Sequence, residues 1–261
     1  MGHSTRAANV DARLILPYLE DRISPRALCI VRAVDWELHA VPFIPPPHHG
    51  RDIHPRFIDQ YTKLNIWGLD RLGIDRLVYL DADTLVRRNF DELFDSPFNF
   101  AAVPDVYGVG DPRGFSTSFN AGMLVLRTST SVMHDMIQKT ETAEYPLKQA
   151  EQAFLNLYFG STVVRLPYAY NANLGIKSRS PALWEGLMDE MRIVHYTAVK
   201  PFLDDSRPPK TILTPEELRA TVERATARQN GMYADEIGWW RQAYERMMED
   251  KGSEIHACYR R

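Results

Sequence analysis

Arg76-Leu77-Val78-Tyr79-Leu80-Asp81-Ala82-Asp83-Thr84 is the stretch from which the rest of the chain is read. Leu77 to Leu80 form a near-continuous apolar run. Such a run predicts a strand buried on both faces of a mostly parallel sheet. It ends in two aspartates. In open α/β sheets ligands sit beyond the carboxyl ends of the strands. Two carboxylates brought together in a crevice repel each other and lose hydration, and a divalent cation resolves both problems. The bland alternative is a surface turn, since aspartate is common in turns.

Around this strand the chain alternates short apolar runs with helical spacing, the pattern of an open α/β sheet. Strands are expected at Leu14 to Leu19, Glu37 to Ile44, Phe98 to Val103, Gly122 to Leu126, Thr162 to Leu166 and Arg192 to His195. Helices are expected from Ser24-Pro25, over Pro55 to Leu72 and over Pro146 to Phe159. Pro45 to Asp52 is a proline-rich loop. Thr214-Pro215-Glu216-Glu217 is a capping box with proline at the first helical position, and it marks a helix start. A last helix is expected over Tyr233 to Met248.

The chain has 261 residues, of which 44% are hydrophobic and 25% charged, with a formal net charge of −3. That length can bury a core of its own. No broad basic field points to nucleic acid. No apolar run reaches membrane-spanning length, and Met1 to Asp11 lacks the apolar core of a signal peptide. Cys29 and Cys258 are too few for a disulfide framework and fit a reducing compartment. A cytoplasmic protein without a membrane partner is therefore expected.

Several residues join the acidic pair as candidates. His195 closes a short apolar strand, where it could serve as a metal ligand or as an ordinary structural histidine. Lys200 follows it and could meet a phosphate, or simply sit in solvent. Phe119-Asn120-Ala121-Gly122 precedes a strand, and small residues there let a ligand approach the backbone; a plain turn reads the same way. Glu151-Gln152 near a helix start suit sugar hydroxyls, or only favour the helix dipole.

In this order, these residues resemble glycosyltransferase family 8, its glycogenin-like members in particular. The resemblance rests on Tyr61-Thr62-Lys63-Leu64, Arg76 to Val86, Asn89 to Phe94, Phe119 to Gly122 and Glu151-Gln152 with Leu155-Asn156. It continues through Leu166-Pro167, Tyr170-Asn171, His195 to Phe202 and Trp239-Trp240. It implies a nucleotide-diphospho-sugar transferase (GT-A-like) fold, an open mixed sheet flanked by helices with a C-terminal helical appendage. The transferase domain would span 1–205 and the appendage 206–261. It implies a retaining hexosyltransferase that moves a hexosyl group from a UDP-sugar to a carbohydrate, polyol or protein acceptor. Mn²⁺, with Mg²⁺ as the alternative, would be held by Asp81, Asp83 and His195. Lys63, Leu80, Asp81, Ala82, Asn120, Ala121, Gly122, Thr197 and Lys200 would bind the donor. Glu151, Gln152 and Asp83 would be catalytic.

Three departures accompany the resemblance. The chain begins at what looks like the family's second strand, without the first strand and helix. That would leave an apolar sheet edge and favour a homodimer. Glu151 stands where aspartate is frequent. No tyrosine lies between Asn171 and Val194, so self-glycosylation there is not expected. Two rival readings remain: a transferase-like binding domain without turnover, and an aspartate-nucleophile phosphatase of the haloacid-dehalogenase type. The second would need a late acidic pair after a strand, and Asp204-Asp205 has none before it.

Overall fold

The computed structural model describes residues 1–208 and 211–260; Pro209, Lys210 and Arg261, which belong to the expected C-terminal appendage, lie outside the described residues. The chain opens with α1 (Gly2–Ala7) and β1 (Ile15–Tyr18), then α2 (Pro25–Ala33), whose N-cap Ser24 accepts from the Ala27 N–H at 3.2 Å. Next come β2 (Glu37–Ala40), β3 (Arg76–Leu80), β4 (Thr84–Val86), β5 (Phe100–Val106) and β6 (Phe115–Arg127). They are followed by α3 (Thr130–Thr140), α4 (Ala150–Phe159), β7 (Val164–Arg165), β8 (Ala172–Asn173), α5 (Leu174–Arg179) and α6 (Pro181–Leu187). β9 (Ile193–His195), α7 (Pro215–Ala227) and α8 (Ala234–Tyr259) close the chain.

Among the described residues the strands form three sheets rather than one: β1-β2, β3-β6-β5-β7 and β4-β9-β8. β3 pairs antiparallel with β6, not within a mostly parallel sheet. All five of its residues are only half-buried, because among the described residues one edge has no neighbouring strand and borders a cavity of about 880 Å³. Ile66, Leu69 and Ile74 lie in the core on one side of β3, and Val10, Phe90 and Phe94 in the core on the other.

Other differences have local causes. The helical segment expected over Pro55 to Leu72 winds as 3-10 turns, Pro55–Phe57 and Gln60–Leu72. There the buried Asn65 amide donates to Thr62 O and to Pro42 O, both at 2.9 Å, and ties the segment to the loop after β2. α4 starts later than expected because Ala150 takes φ +49° after the 3-10 turn Leu147–Gln149. The capping box at Thr214 and Glu217 forms as read. Val222, Ala225, Tyr233 and Ile237 of the tail share a core with Leu85, Ala172 and Val194 of the third sheet. Cys29 on α2 and Cys258 on α8 form a disulfide. This corrects the expectation that the two cysteines fit a reducing compartment, because a bridged pair no longer argues for one. Among the described residues no helix is long and apolar enough to cross a membrane.

Candidate functional site

β3 delivers Asp81 to its carboxyl end, and the Asp81 N–H donates to Gly122 O on β6 at 2.8 Å. Thr84 then folds the chain back: its N–H and Oγ1 both donate to Asp81 O, at 3.2 and 2.8 Å. The turn leads into β4, which pairs antiparallel with β9 in the register Thr84 opposite His195. The Tyr196 N–H donates to Asp83 O at 2.9 Å. A distant strand thus places its histidine on the acidic turn.

One ligand atom from each of Asp81, Asp83 and His195 lies within 4.8 Å of the others. His195 is 4% exposed, and its Nε2 stands 3.2 Å from Asp83 Oδ1. Its Nδ1 lies 3.1 Å from Asn171 Oδ1, and Asn171 Nδ2 donates to Asn120 Oδ1 at 3.0 Å. With the amide oriented this way, Nδ1 is the donor and Nε2 faces the acidic turn. Such an outer hydrogen bond fixes the tautomer of a metal-binding imidazole. Gly122 is required here: a Cβ at that position would sit 2.2 Å from His195 Cε1. Lys200 Nζ contacts Asp83 Oδ2 and donates to Tyr196 O at 3.3 Å. Burial alone would raise the Asp83 carboxyl, but the hydrogen bond and charge of His195, then Lys200, hold it well below the usual range. Two oxygen donors and an imidazole form a set that suits Mn²⁺ or Mg²⁺.

A second knot adjoins the first. Lys63 is nearly buried, and its Nζ donates to Glu151 Oε1 at 2.8 Å and Ala121 O at 3.1 Å. It also lies 3.3 Å from Asp81 Oδ1, which accepts from the Tyr79 hydroxyl at 2.6 Å. Burial opposes the Lys63 charge, yet Asp81 and Glu151 hold its pKa well above the ordinary value. Burial pushes the Glu151 carboxyl up, against the pull of Lys63. Glu151 Oε2 is buried without a hydrogen-bond partner. Gln152 Oε1 accepts from the Ala121 N–H at 3.0 Å, which anchors α4 to β6.

The structure therefore gathers the sequence candidates around one crevice. Lys63, Asp81, Asp83, Asn120, Ala121, Gly122, Glu151, Gln152, His195 and Lys200 belong to these two linked networks, whereas Leu80 and Ala82 only flank Asp81 in the chain and line the cavity along β3. Thr197 joins through Asn173, whose Oδ1 accepts from the Thr197 hydroxyl. One residue went unread. Asp105, 3% exposed, accepts from Gln152 Nε2 at 2.9 Å, Asn120 Nδ2 at 3.2 Å and Asn173 Nδ2 at 3.4 Å. Burial and this carboxylate push Tyr107 up to about 12. The signal that exposed Asp81, an apolar strand run ending in a carboxylate, is present again in Phe100-Ala101-Ala102-Val103-Pro104-Asp105.

The sequence pattern of Glycosyl transferase family 8 matches residues 47–206. Galactinol synthase 2 of Solanum lycopersicum is 32% identical over 197 residues, covering 65% of this chain and 55% of its own length. Glycogenin of Neurospora crassa is 29% identical over 145 residues, covering 56% of this chain and 19% of its own. The chain spans about half the length of the galactinol synthases that it matches. The apo glycosyltransferase GlyE of Streptococcus pneumoniae TIGR4 superposes with a TM-score of 0.50 at 17% identity, over 92% of this chain and 59% of that one. This last likeness speaks for the fold.

Proposed function

The chain belongs to glycosyl transferase family 8, and from that premise we propose that it transfers a hexosyl group from a UDP-sugar to a hydroxyl acceptor, with retention and with Mn²⁺ bound. The fold is the GT-A-like arrangement of mixed sheets flanked by helices, with a helical C-terminal region. The observation that carries the reading is the convergence of Asp81, Asp83 and His195 within 4.8 Å, with Lys200 on the same Asp83.

Asp81, Asp83 and His195 would hold the cation. When bound, Mn²⁺ neutralises the diphosphate and the charge that grows on it as the glycosidic bond breaks. Lys200, half-exposed beside Asp83, is the mobile ammonium that turns to the leaving diphosphate and adds a positive charge there. Lys63 keeps Asp81 and Glu151 close without mutual repulsion. Glu151 Oε2, buried and unpartnered, is the acceptor left for a sugar hydroxyl or for the electron-poor anomeric carbon. Asn120 and Gln152 are held by Asp105 and shape the sugar pocket. The acceptor is a carbohydrate, a polyol or a protein, supplied from outside the segment between Asn171 and Val194.

The cavity along β3 reaches Asp81 and Ala82, so one wall of the crevice is open. That observation favours a second reading, a domain that binds the donor without turning it over. Hydrolysis of UDP-sugars in Mn²⁺ separates the two. The transferase reading expects slow UDP release that Asp83→Ala abolishes. Mn²⁺-dependent UDP binding with no release from any UDP-hexose would replace it with the binding reading.

A further inference from the structure

Asp83 stands immediately before β4 and His195 ends β9, so the cation site is only as well placed as these two strands. Both are fastened to the first turns of α8. Just past the end of β4, the Arg87 guanidinium lies over the Trp239 ring, 3.8 Å from its centroid. Just past the end of β9 stands Tyr196, fully buried. Its N–H donates to Asp83 O at 2.9 Å and its carbonyl accepts from Lys200 Nζ at 3.3 Å. Its hydroxyl donates to Glu236 O on α8 at 2.6 Å. One residue thus joins both Asp83 and Lys200 to the C-terminal helix.

The α8 end of this link is itself fixed. Glu236 is 1% exposed. Its carboxylate accepts from Lys177 Nζ of α5 at 2.8 and 2.9 Å and from Trp184 Nε1 of α6 at 3.0 Å. Asn173 caps α5, and its Oδ1 accepts from the Gly175 N–H and from the Thr197 hydroxyl. The contacts therefore form a ring that returns to the residue after Tyr196. Apolar burial around Leu85, Val194, Val222 and Ile237 holds the same elements together, but it is non-directional. A satisfied buried polar network selects one arrangement of them. A buried ion pair is often no more stabilising than apolar residues of the same volume, so Glu236–Lys177 is better explained by the geometry it specifies.

We propose that Tyr196 and Glu236 are positioning residues for the cation site, and that the first turns of α8 form part of its frame. Metal–ligand distances tolerate only about 0.2 Å, so a shift of β9 too small to unfold the core reaches the cation first. The inference rests on the transferase reading, since it concerns how the cation of that reading is held.

The test measures Mn²⁺ affinity by titration calorimetry in the presence of UDP, on the full chain and well below Tm. Tyr196→Phe keeps the ring in the core and removes only the hydroxyl. It should weaken Mn²⁺ binding by ~10-fold, and UDP release from a UDP-hexose should recover when Mn²⁺ is raised by the same factor. Val222→Ala truncates the same core at a residue outside these hydrogen bonds. It should lower Tm and leave Mn²⁺ affinity within about twofold of the parent. Glu236→Gln should also weaken Mn²⁺ binding, and the double variant should bind no more weakly than the weaker single one, because both changes break one link. With a parent that binds Mn²⁺, three outcomes overturn this inference alone: Tyr196→Phe within about twofold of the parent, an equal loss in Val222→Ala, or losses that multiply in the double variant. A parent that binds no Mn²⁺ overturns the transferase reading and this inference with it.

Discussion

Replacing Gly122 by alanine tests the architecture of the site at one atom. The new Cβ would meet His195 Cε1 at 2.2 Å, His195 Nδ1 at 2.8 Å and Asn120 Oδ1 at 2.8 Å. Carbon atoms rest ~3.5–4.0 Å apart, so a 2.2 Å approach forces the ring back by about 1.3 Å or more. Metal–ligand distances tolerate only about 0.2 Å, so the imidazole is lost as a ligand. Loosening an outer hydrogen bond alone costs ~10–100-fold in affinity, and displacing the ring should cost at least that. Overpacking should add ~1–3 kcal/mol of instability, which lowers Tm by roughly 2–10 °C in a chain of this size. Titration calorimetry of Mn²⁺ in the presence of UDP measures the first effect and thermal unfolding the second. Gly68→Ala is the control, because its Cβ meets the flexible Met133 Sδ at 2.8 Å, away from the site. It should cost stability without changing Mn²⁺ affinity. If Gly122→Ala binds Mn²⁺ within about twofold of the parent, His195 is not a ligand and the site assignment is wrong.

Lys200→Ala should lower the rate of UDP-sugar hydrolysis by ~10²–10³ and hardly move Tm, since this half-exposed ion pair contributes little to stability; an unchanged rate would remove Lys200 from the diphosphate. Lys63→Met should destabilise by ~3–5 kcal/mol in chemical denaturation, because Glu151 and Asp81 then face each other unpaired. Adding Glu151→Gln should recover part of that loss, and a double variant as unstable as the single one would show that the pair is not coupled. Reduction of Cys29–Cys258, or Cys29→Ser, should cost ~2–4 kcal/mol because the bridge closes most of the chain into one loop. Identical calorimetric transitions with and without dithiothreitol would contradict this.

The parts of the fold legible in the sequence are those with a strong local signal. Leu77 to Leu80 form a strand, Ser24-Pro25 caps a helix, and Thr214 to Glu217 cap another. The order of site residues was legible through the resemblance, and the structure gathers them in one crevice. What could not be read depends on pairing. Nothing in Leu77 to Leu80 says that one edge goes to β6 antiparallel and the other to a cavity. β4 and β8 are three and two residues long and exist because β9 runs between them. The 3-10 winding of Gln60–Leu72 is not marked in the spacing of Tyr61, Leu64 and Trp67, which reads the same for an α-helix. Cys29 and Cys258 meet only because α2 packs on α8. Asp105 was readable and was missed, since proline before it obscures the end of its strand.

Whether His195 completes a cation site with Asp81 and Asp83 can be observed directly. Electron spin echo modulation of Mn²⁺ bound with UDP reports any nitrogen in its coordination shell. The spectrum should carry ¹⁴N modulation from the His195 imidazole in the parent protein and lose it in His195→Ala. Manganese bound with no nitrogen coupling in the parent, or with the same coupling after His195→Ala, would contradict the site.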